Sequence, residues 1–417
     1  MTAEQFDKRY TLEPRHVDNP GVRKRAAYVV HQMQESLSRV RHRPENIGYF
    51  QQCLAETSRS GKTPFIGIFC QMIPFELLDA LNVRPIKLDC GNAALVQPGE
   101  EVLAGEICPL VKSSFGELLD PETRANNVAA FVLPSSCDGK RKLAEPLSDY
   151  KPTFVFNLPP EQDAGRYLKF SVAELERLVA FVSGITGVRL TRKRLLNAVR
   201  RGQRRTQIVR RLQDARAVNP EALSVRDFFL IIQASFSGES FETWYAEASA
   251  VLTKVEAYKP ARKRLRPRLV LTGAPIVWPN FKILNLIEES GADVVADTLC
   301  TGAQSCFDPV MVDETGRKAL LRMLALRYVF ASPCPCFISQ ATRLSRVLDL
   351  VDEYQADGVV NNGLRLCQLF DIEAHRLSAI LKEHKIPFIN LRTDYSLEDT
   401  EQLRVRLEAF LETVEGL

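Results

Sequence analysis

The sequence predicts an α/β protein with two parallel-sheet domains of Rossmann or flavodoxin type, joined by a helical segment and preceded by an N-terminal helical extension. Short apolar runs alternate with amphipathic helical patterns over residues 61–165 and again over 266–417. This alternation is typical of parallel strands with covering helices. The stretch between them, 166–265, is helical and polar and shows no strand pattern. We therefore expect four units: 1–60, 61–165, 166–265 and 266–417.

The elements of the first half follow from its apolar runs. Upstream of them, "VRKRAAYVVHQMQESLSRV" and "ENIGYFQQCLAETSRSG" predict two polar amphipathic helices. "PFIGIFC" then predicts a buried strand ending at Cys70, and "PFELLDAL" predicts a helix that Pro74 opens. "VAAFVLPSSC" predicts a strand that ends at Cys137, and "PTFVFNLP" predicts a further strand around residues 152–159.

The second half repeats this organisation after the helical middle. "KPARKRLRPR" (259–268) is a charged connector, and the strands that follow are predicted at "LVLTGAPI", "DVVADTLC", "RYVFASPC" and "DGVVNNGLRLC". "FKILNLIEESG" predicts a helix, and "HRLSAILKEHK", "IPFINLRTDYS" and "TEQLRVRLEAFLE" predict a closing helix, strand and helix. The two halves therefore look like two versions of one unit.

Composition excludes several classes of protein. With 417 residues, of which 45% are hydrophobic and 25% charged, the chain can bury large cores. A net charge of +4 is too small to indicate nucleic acid as the main partner. The arginine-rich stretch 189–216 could dock an acidic partner or RNA, but a solvated helix is favoured because it lacks interleaved aromatic residues. No export signal or long apolar segment is evident, so we expect a cytoplasmic protein without a membrane contact.

Cysteine is the informative residue type. Ten cysteines in a chain without an export signal indicate metal or redox chemistry rather than disulfides. Zinc has little support, because paired CxxC ligands are absent and none of the five histidines lies close to a cysteine. An all-thiolate set drawn from distant loops favours an iron–sulfur cluster.

Six of the cysteines share a position in the predicted fold. Four lie at or just past the carboxyl end of a predicted strand, one lies slightly further on, and one precedes a helix N-terminus that favours a thiolate. These six are Cys70, Cys108, Cys137, Cys300, Cys334 and Cys367. For Cys53, Cys90 and Cys306 ordinary packing is the better interpretation. Cys336, two residues from Cys334, is undecided.

Several motifs together resemble the 2-hydroxyacyl-CoA dehydratase / benzoyl-CoA reductase superfamily, whose D-component they match, and most closely its double-cubane-cluster proteins. The specific ones are "CPLVKSSFG" at 108–116 and "CDGK" at 137–140, with "ADTLCTGA", "FASPCPCF" and "DGVVNNGLRLC" in support. The resemblance implies an oxygen-sensitive iron–sulfur oxidoreductase, expected as a homodimer. It would reduce a small-molecule substrate with electrons from a separate ATP-hydrolysing [4Fe–4S] activator.

The same resemblance implies a cofactor. The six thiolates would hold a double-cubane [8Fe–9S] cluster, three to each cubane, on Cys70, Cys108, Cys137, Cys300, Cys334 and Cys367. The alternatives are a dehydratase or acyl-CoA reductase subunit with one [4Fe–4S] cluster, and a non-catalytic electron-transfer protein.

Other functional residues are less defined by the sequence. "GKT" at 61–63 lacks the earlier glycine of a phosphate loop, since Glu56 stands there, so ATP hydrolysis would belong to the partner. Lys140, Arg141 and Lys142 follow a predicted ligand and could stabilise added negative charge, although a solvated loop is an equal alternative. No acid–base residue can be selected; only Asp138 and Glu76 lie near predicted ligands along the chain.

Overall fold

Two parallel sheets organise the chain in the computed structural model, which describes residues 16–40, 42–56, 63–259 and 266–416. The first sheet has the strand order β2-β1-β3-β4 and the second has the order β6-β5-β7-β8. The strands are β1 (Phe65–Ile68), β2 (Arg84–Lys87), β3 (Ala130–Pro134), β4 (Thr153–Phe156), β5 (Arg268–Gly273), β6 (Asp293–Asp297), β7 (Gly358–Leu364) and β8 (Phe388–Thr393). All pairings between them are parallel. The predicted fold class is confirmed.

Helices surround the sheets and fill the space between them. We call residues 63–156 the first lobe and 266–416 the second lobe. The helices before and within the first lobe are α1 (Pro20–Ser38), α2 (Ile47–Ala55), α3 (Phe75–Ala80), α4 (Val96–Glu100), α5 (Pro109–Leu119) and α6 (Asp138–Ser148). The middle segment holds α7 (Ala164–Thr186), α8 (Arg192–Val218), α9 (Val225–Ala234) and α10 (Phe241–Ala257). The second lobe holds α11 (Lys282–Glu289), α12 (Arg317–Ala325), α13 (Ala341–Glu353), α14 (Gln368–Glu383) and α15 (Thr400–Glu415).

The helices of the middle segment begin at side chains that cap them. The caps of α7 to α10 are Asp163, Thr191, Ser224 and Ser240, and each side chain accepts a hydrogen bond from the backbone N–H three residues later. Such caps satisfy one of the backbone donors that the first helical turn leaves without a partner. Gly187 ends α7 with a left-handed φ of 67°, a conformation that suits glycine.

Helix α8 carries solvated arginines, as expected, and Arg192, Arg200 and Arg211 are exposed, but its other face is buried. Leu195 and Leu212 lie in the large core that is shared by both lobes. Arg216 is buried, donates a hydrogen bond to the carbonyl of Val294 and lies 5.0 Å from the ring of Phe228. The sequence does not reveal the burial of Arg216, because its aromatic partner Phe228 lies on a different helix, α9. The helix is therefore a structural element between the lobes.

Two further expectations need correction. The structure contains strand β2, which the sequence did not predict. "RYVFASPC", which the sequence predicted as a strand, is not one. Helix α12 continues directly into a π-helical turn, Leu326–Phe330, so the apolar residues of that run follow a helical face. The second sheet also leaves no place for a strand beside β5, because β6 and β7 already flank it.

Some predicted features fall outside the described residues. The boundaries at 60/61 and 265/266, two residues of "GKT" and most of the connector 259–268 lie there. Within the parts of the chain that are described, no helix combines the length and apolar character that crossing a membrane requires.

The backbones of α4 and α5 cross at close range, and this crossing positions Cys108, the residue before α5. Its contribution to stability can be tested by substitution. A Cβ on Gly116 would lie 2.0 Å from the carbonyl oxygen of Leu95, which the backbone cannot accommodate. We expect Gly116→Ala to lower the free energy of unfolding by about 1–3 kcal/mol in urea titrations. The control is Gly184→Ala in α7, where no atom lies within 4 Å; it should raise stability by about 0.5–1 kcal/mol. Equal stability of Gly116→Ala and the parent would contradict the close crossing.

Candidate metal centre

Three cysteines meet at one cavity of about 50 Å³, and we call Cys70, Cys300 and Cys334 the first cysteine group. Cys70 follows β1, Cys300 follows β6, and Cys334 follows the π-helical turn. Burial raises the pKa of Cys70 to about 12, and the charges of Cys300 and Cys334 add to this effect. The three thiols are therefore close enough to interact electrostatically.

The loop that holds Cys300 is fixed by an aspartate at the end of β6. The carboxylate of Asp297 accepts hydrogen bonds of 3.0 Å from the backbone N–H groups of Leu299 and Ala303. Burial raises the pKa of Asp297 to about 6, while these two hydrogen bonds lower it. A carboxylate that bonds to both sides of Cys300 restricts the position of that thiol.

The other three predicted ligands form the second cysteine group, Cys108, Cys137 and Cys367. Each occupies the N-cap position of a helix, namely α5, α6 and α14. Burial raises the pKa of Cys367 to about 12, with the charges of Cys108 and Cys137 contributing. Burial also raises the pKa of Cys108, and the backbone N–H of Val111 opposes this. Three helix N-termini at one place favour bound thiolates.

Each group combines cysteines from both lobes. The first cysteine group has one cysteine from the first lobe, Cys70, and two from the second lobe. The second cysteine group has two from the first lobe and one, Cys367, from the second lobe. Parallel strands present their carboxyl ends at one edge of a sheet, and the crevice there is where open α/β sheets bind ligands. The two lobes therefore place six thiols in two sets of three. Within the described residues, no three His, Cys, Asp or Glu side chains are arranged around the position of a single metal ion.

Lys140 is the cation that acts on both groups. Its Nζ donates to Oδ1 of Asp89 at 3.0 Å and to the carbonyl of Phe69, and its side chain is only 12% exposed. Burial lowers the pKa of Lys140, but Asp89 and the charges of Cys70 and Cys137 outweigh burial and raise the pKa overall. The ammonium charge in turn lowers the pKa of Cys70, Cys108 and Cys300, in opposition to the effect of burial.

A second lysine extends this network. Nζ of Lys87 lies 3.5 Å from Oδ2 of Asp89, so one buried aspartate holds two ammonium groups. Burial raises the pKa of Cys300, and Lys87 provides the largest opposing charge. Of the three basic residues considered in the sequence, only Lys140 faces the cysteines, since Arg141 and Lys142 are exposed on α6. Asp138 is exposed too, whereas Glu76 is buried.

Arg343 supplies a third cation beside the first cysteine group. It is 3% exposed, lines the same cavity and lies 2.5 Å from a carboxylate oxygen of Glu373. Its guanidinium also donates to Oγ1 of Thr272 at 2.8 Å and lies 4.8 Å from the ring centre of Phe370. These contacts fix a positive charge at the edge of the cavity.

Two buried polar side chains beside the cysteines have no hydrogen-bond partner within the described parts of the chain. Both amide atoms of Gln71, which is 7% exposed and lines the first group's cavity, are unsatisfied. The hydroxyl of Tyr395, 5% exposed, is unsatisfied too. Burial raises the pKa of Tyr395 well above its usual value, with the charges of Cys108 and Cys367 contributing. Because unpaired buried polar groups are costly, these atoms and the all-thiol donor set fit a polar inorganic group between them.

The remaining cysteines occupy different surroundings. Sγ of Cys336 lies 3.9 Å from Sδ of Met72, and its hydrogen bond with Cys334 is the main cause of the raised pKa of Cys334. Cys334 lines the cavity. Cys53, Cys90 and Cys306 are buried in apolar clusters, as packing residues are.

Several residues of the site were not identified in the sequence. Lys87 ends β2 and Asp89 follows it, and the apolar pattern of this strand is too short to recognise. Arg343 lies on a helix with ordinary charge patterning. Gln71 adjoins Cys70 and could have been suspected from that position. Nothing in the sequence near Tyr395 signals its proximity to Cys108, 287 residues earlier.

The fold and the site together define a two-lobed α/β protein with clustered thiols between its lobes. Residues 70–414 match the family described as 2-hydroxyglutaryl-CoA dehydratase, D-component. This chain belongs to that family, as the sequence motifs predicted.

Named relatives agree with this membership. The chain is 31% identical over 355 residues to the "Putative dehydratase subunit YjiM" of Escherichia coli, covering 84% of this chain and 91% of the relative. It is 22% identical to "(R)-2-hydroxyglutaryl-CoA dehydratase, subunit beta" of Acidaminococcus fermentans, covering 87% and 95% of the two chains. It is 20% identical to "Lactoyl-CoA dehydratase subunit beta" of Anaerotignum propionicum, covering 86% and 92%. The chain is therefore an enzyme component of the dehydratase family.

Separate substitutions distinguish the neighbouring cysteines Cys334 and Cys336. Cys334 lines the cavity with two other thiols, so we expect Cys334→Ser to lower bound iron by about half or more after anaerobic purification. Cys336→Ser should retain the iron of the parent protein, because Cys336, unlike Cys334, does not line this cavity. Colorimetric iron analysis measures both, and circular dichroism checks folding. Loss of iron in Cys336→Ser alone would reverse the assignment.

Proposed function

We propose that this chain is an iron–sulfur reductase component that holds a double-cubane [8Fe–9S] cluster through Cys70, Cys108, Cys137, Cys300, Cys334 and Cys367. It would receive low-potential electrons from a separate ATP-hydrolysing [4Fe–4S] activator and reduce a small-molecule substrate. The observation that supports this most strongly is the division of six thiols into two sets of three between the lobes. Three thiolates suit a cubane that shares its fourth corner with a neighbour.

The cofactor would supply one-electron reducing power at low potential when bound. The protein's own residues supply the surroundings. Lys87 and Lys140 compensate the charge of six thiolates, so the buried site can accept additional electrons. Gln71 and Tyr395 offer hydrogen-bonding groups that have no partner among the residues that the structure describes. The first group's cavity is small, about 50 Å³, so few water molecules fit beside a substrate there.

A second candidate function has its own support. The relatives named as beta subunits of 2-hydroxyglutaryl-CoA and lactoyl-CoA dehydratases favour a dehydratase or acyl-CoA reductase subunit with one [4Fe–4S] cluster. In that case one cysteine group would bind iron and the other would remain as thiols. Both candidates would receive electrons from the activator and act on a small-molecule substrate. We expect the double-cubane candidate to be a homodimer.

Iron and sulfide analysis separates these candidates. After purification without oxygen, we expect about eight iron atoms per chain for the double cubane, and about four would favour the single-cubane dehydratase. Cys108→Ser and Cys300→Ser test the two groups: both should lower iron if both groups bind it. A colourless preparation without iron would contradict both candidates. Full iron content without ATP-dependent turnover of acetylene, azide or an acyl-CoA in the presence of the activator would indicate a non-catalytic electron carrier.

A further inference from the structure

Two buried side chains separate the first cysteine group's cavity from a second cavity. The hydroxyl of Tyr328 donates a hydrogen bond of 2.7 Å to Oε2 of Glu76. Tyr328 is 4% exposed and lines the cavity of Cys70, Cys300 and Cys334. Glu76 is 7% exposed and lines the other cavity, which we call the outer cavity. One hydrogen bond therefore connects the two spaces.

The outer cavity has room for water and reaches the protein surface. Its volume is about 270 Å³, several times the roughly 30 Å³ that one water occupies in the liquid. Its wall includes Asp79 and Arg201, which form an ion pair of 2.7 Å and whose side chains are 41% and 32% exposed. Ser240 contributes another polar group. Water in this cavity can therefore exchange protons with the solvent and with Glu76.

The surroundings keep Tyr328 protonated. Burial raises the pKa of Tyr328 well above its usual value, and the charge of Glu76 adds to this. Arg327 and Arg205 oppose the increase, and they are the cations that face the pair from the π-helical turn and from α8. Cys306 also interacts with the charge of Glu76. A neutral phenol hydrogen-bonded to a carboxyl group can transfer its proton and receive another.

The backbone on both sides is adapted to this pair. Tyr328 lies in the π-helical turn Leu326–Phe330, where the N–H of Ala331 donates to the carbonyl of Leu326 at 2.9 Å. Such turns are rare and are often found at functional sites. On the opposite side Gly202 of α8 leaves space for the carboxyl group, since a Cβ there would lie 2.4 Å from Oε1 of Glu76.

We propose that Tyr328 and Glu76 form a proton relay from the outer cavity to the cavity of the first cysteine group. The proposal rests on the proposed function, because a substrate that gains electrons at this site also needs protons. Glu76 first takes a proton from water in the outer cavity, and solvent neutralises the hydroxide that is left. Tyr328 then gives its hydroxyl proton to a basic atom of the reduced substrate and takes the proton that Glu76 now carries. Each transfer breaks one O–H bond of the donor and forms one bond at the acceptor, and the electrons come from the activator.

The main test separates electron entry from proton entry. The full chain with its iron is reduced anaerobically by a europium(II) chelate in weakly buffered solution, with acetylene as the probe substrate. Conversion of acetylene to ethylene consumes two electrons and two protons. Loss of visible absorbance follows the electrons, and a pH indicator follows the protons. We expect Tyr328→Phe to lose absorbance at the parent rate while proton uptake slows about a hundredfold.

A matched control has the same type of hydrogen bond elsewhere. The hydroxyl of Tyr354 donates to Oδ1 of Asp214 at 2.7 Å, outside both cavities. Tyr354→Phe should therefore keep the parent rates of both processes. A second variant, Gly202→Ala, leaves Tyr328 intact but displaces the carboxyl group of Glu76, and it should slow proton uptake as well.

Chemical rescue tests the entrance from the outer cavity. Glu76→Ala should slow proton uptake, and added formate, which is small enough for the enlarged cavity, should restore it in proportion to its concentration. Asp214→Ala, which removes the partner of the control tyrosine, should show no response to formate. Slow uptake in Glu76→Ala without any rescue would overturn the route through the outer cavity.

The outcomes distinguish the relay from the proposed function. Parent-like proton uptake in both Tyr328→Phe and Gly202→Ala would overturn the relay and leave the proposed function intact. Absorbance loss in the parent protein without any proton uptake would also overturn the relay. A parent protein that loses no absorbance on reduction would overturn the proposed function and the relay with it.

Discussion

The rest of the site depends on one buried carboxylate, Asp89, which holds the ammonium groups of Lys87 and Lys140 between two sets of thiols. Isolated thiolates are costly to bury, and burial alone raises the pKa of most of these cysteines. Placing two cations on one anion leaves a local positive charge that favours thiolates. Since Lys140 acts on cysteines of both groups, the network links their electrostatics. Metal sites commonly depend on such surrounding charges as much as on the ligands.

Helix orientation adds to this effect in the second cysteine group. Its three cysteines are the N-caps of α5, α6 and α14, so backbone N–H groups and three helix dipoles face the same region. The first group has no comparable arrangement and relies on Lys87, Lys140 and Arg343. The two groups therefore favour negative charge by different means. Under the proposed function, this difference would give the two halves of the cofactor different surroundings.

The shared core explains how two lobes can build one site. The main apolar cluster extends from α1 and α2 through both sheets, and α8 packs between the lobes along its buried face. A cavity between lobes that moved independently could not hold thiols from both in fixed positions. The same helix supplies Gly202 and Arg205 to the surroundings of Glu76. The helical segment that separates the lobes in the sequence therefore fixes their relation in space.

The sequence alone determined the fold class, the family and the cysteines at strand and helix ends, because these depend on local periodicity and on short motifs. It predicted the strand ending at Cys70 and the helix beginning after Cys108, both of which the structure contains. It missed β2 and mistook the π-helical turn before Cys334 for a strand, since apolar runs of a few residues suit either conformation. Only the tertiary structure decided the grouping of the thiols, the role of Lys140 rather than Arg141 or Lys142, and the contact between Glu76 and Tyr328. These features depend on packing between residues up to 264 positions apart in the chain, the separation of Cys70 and Cys334, and no local pattern records which of them will meet.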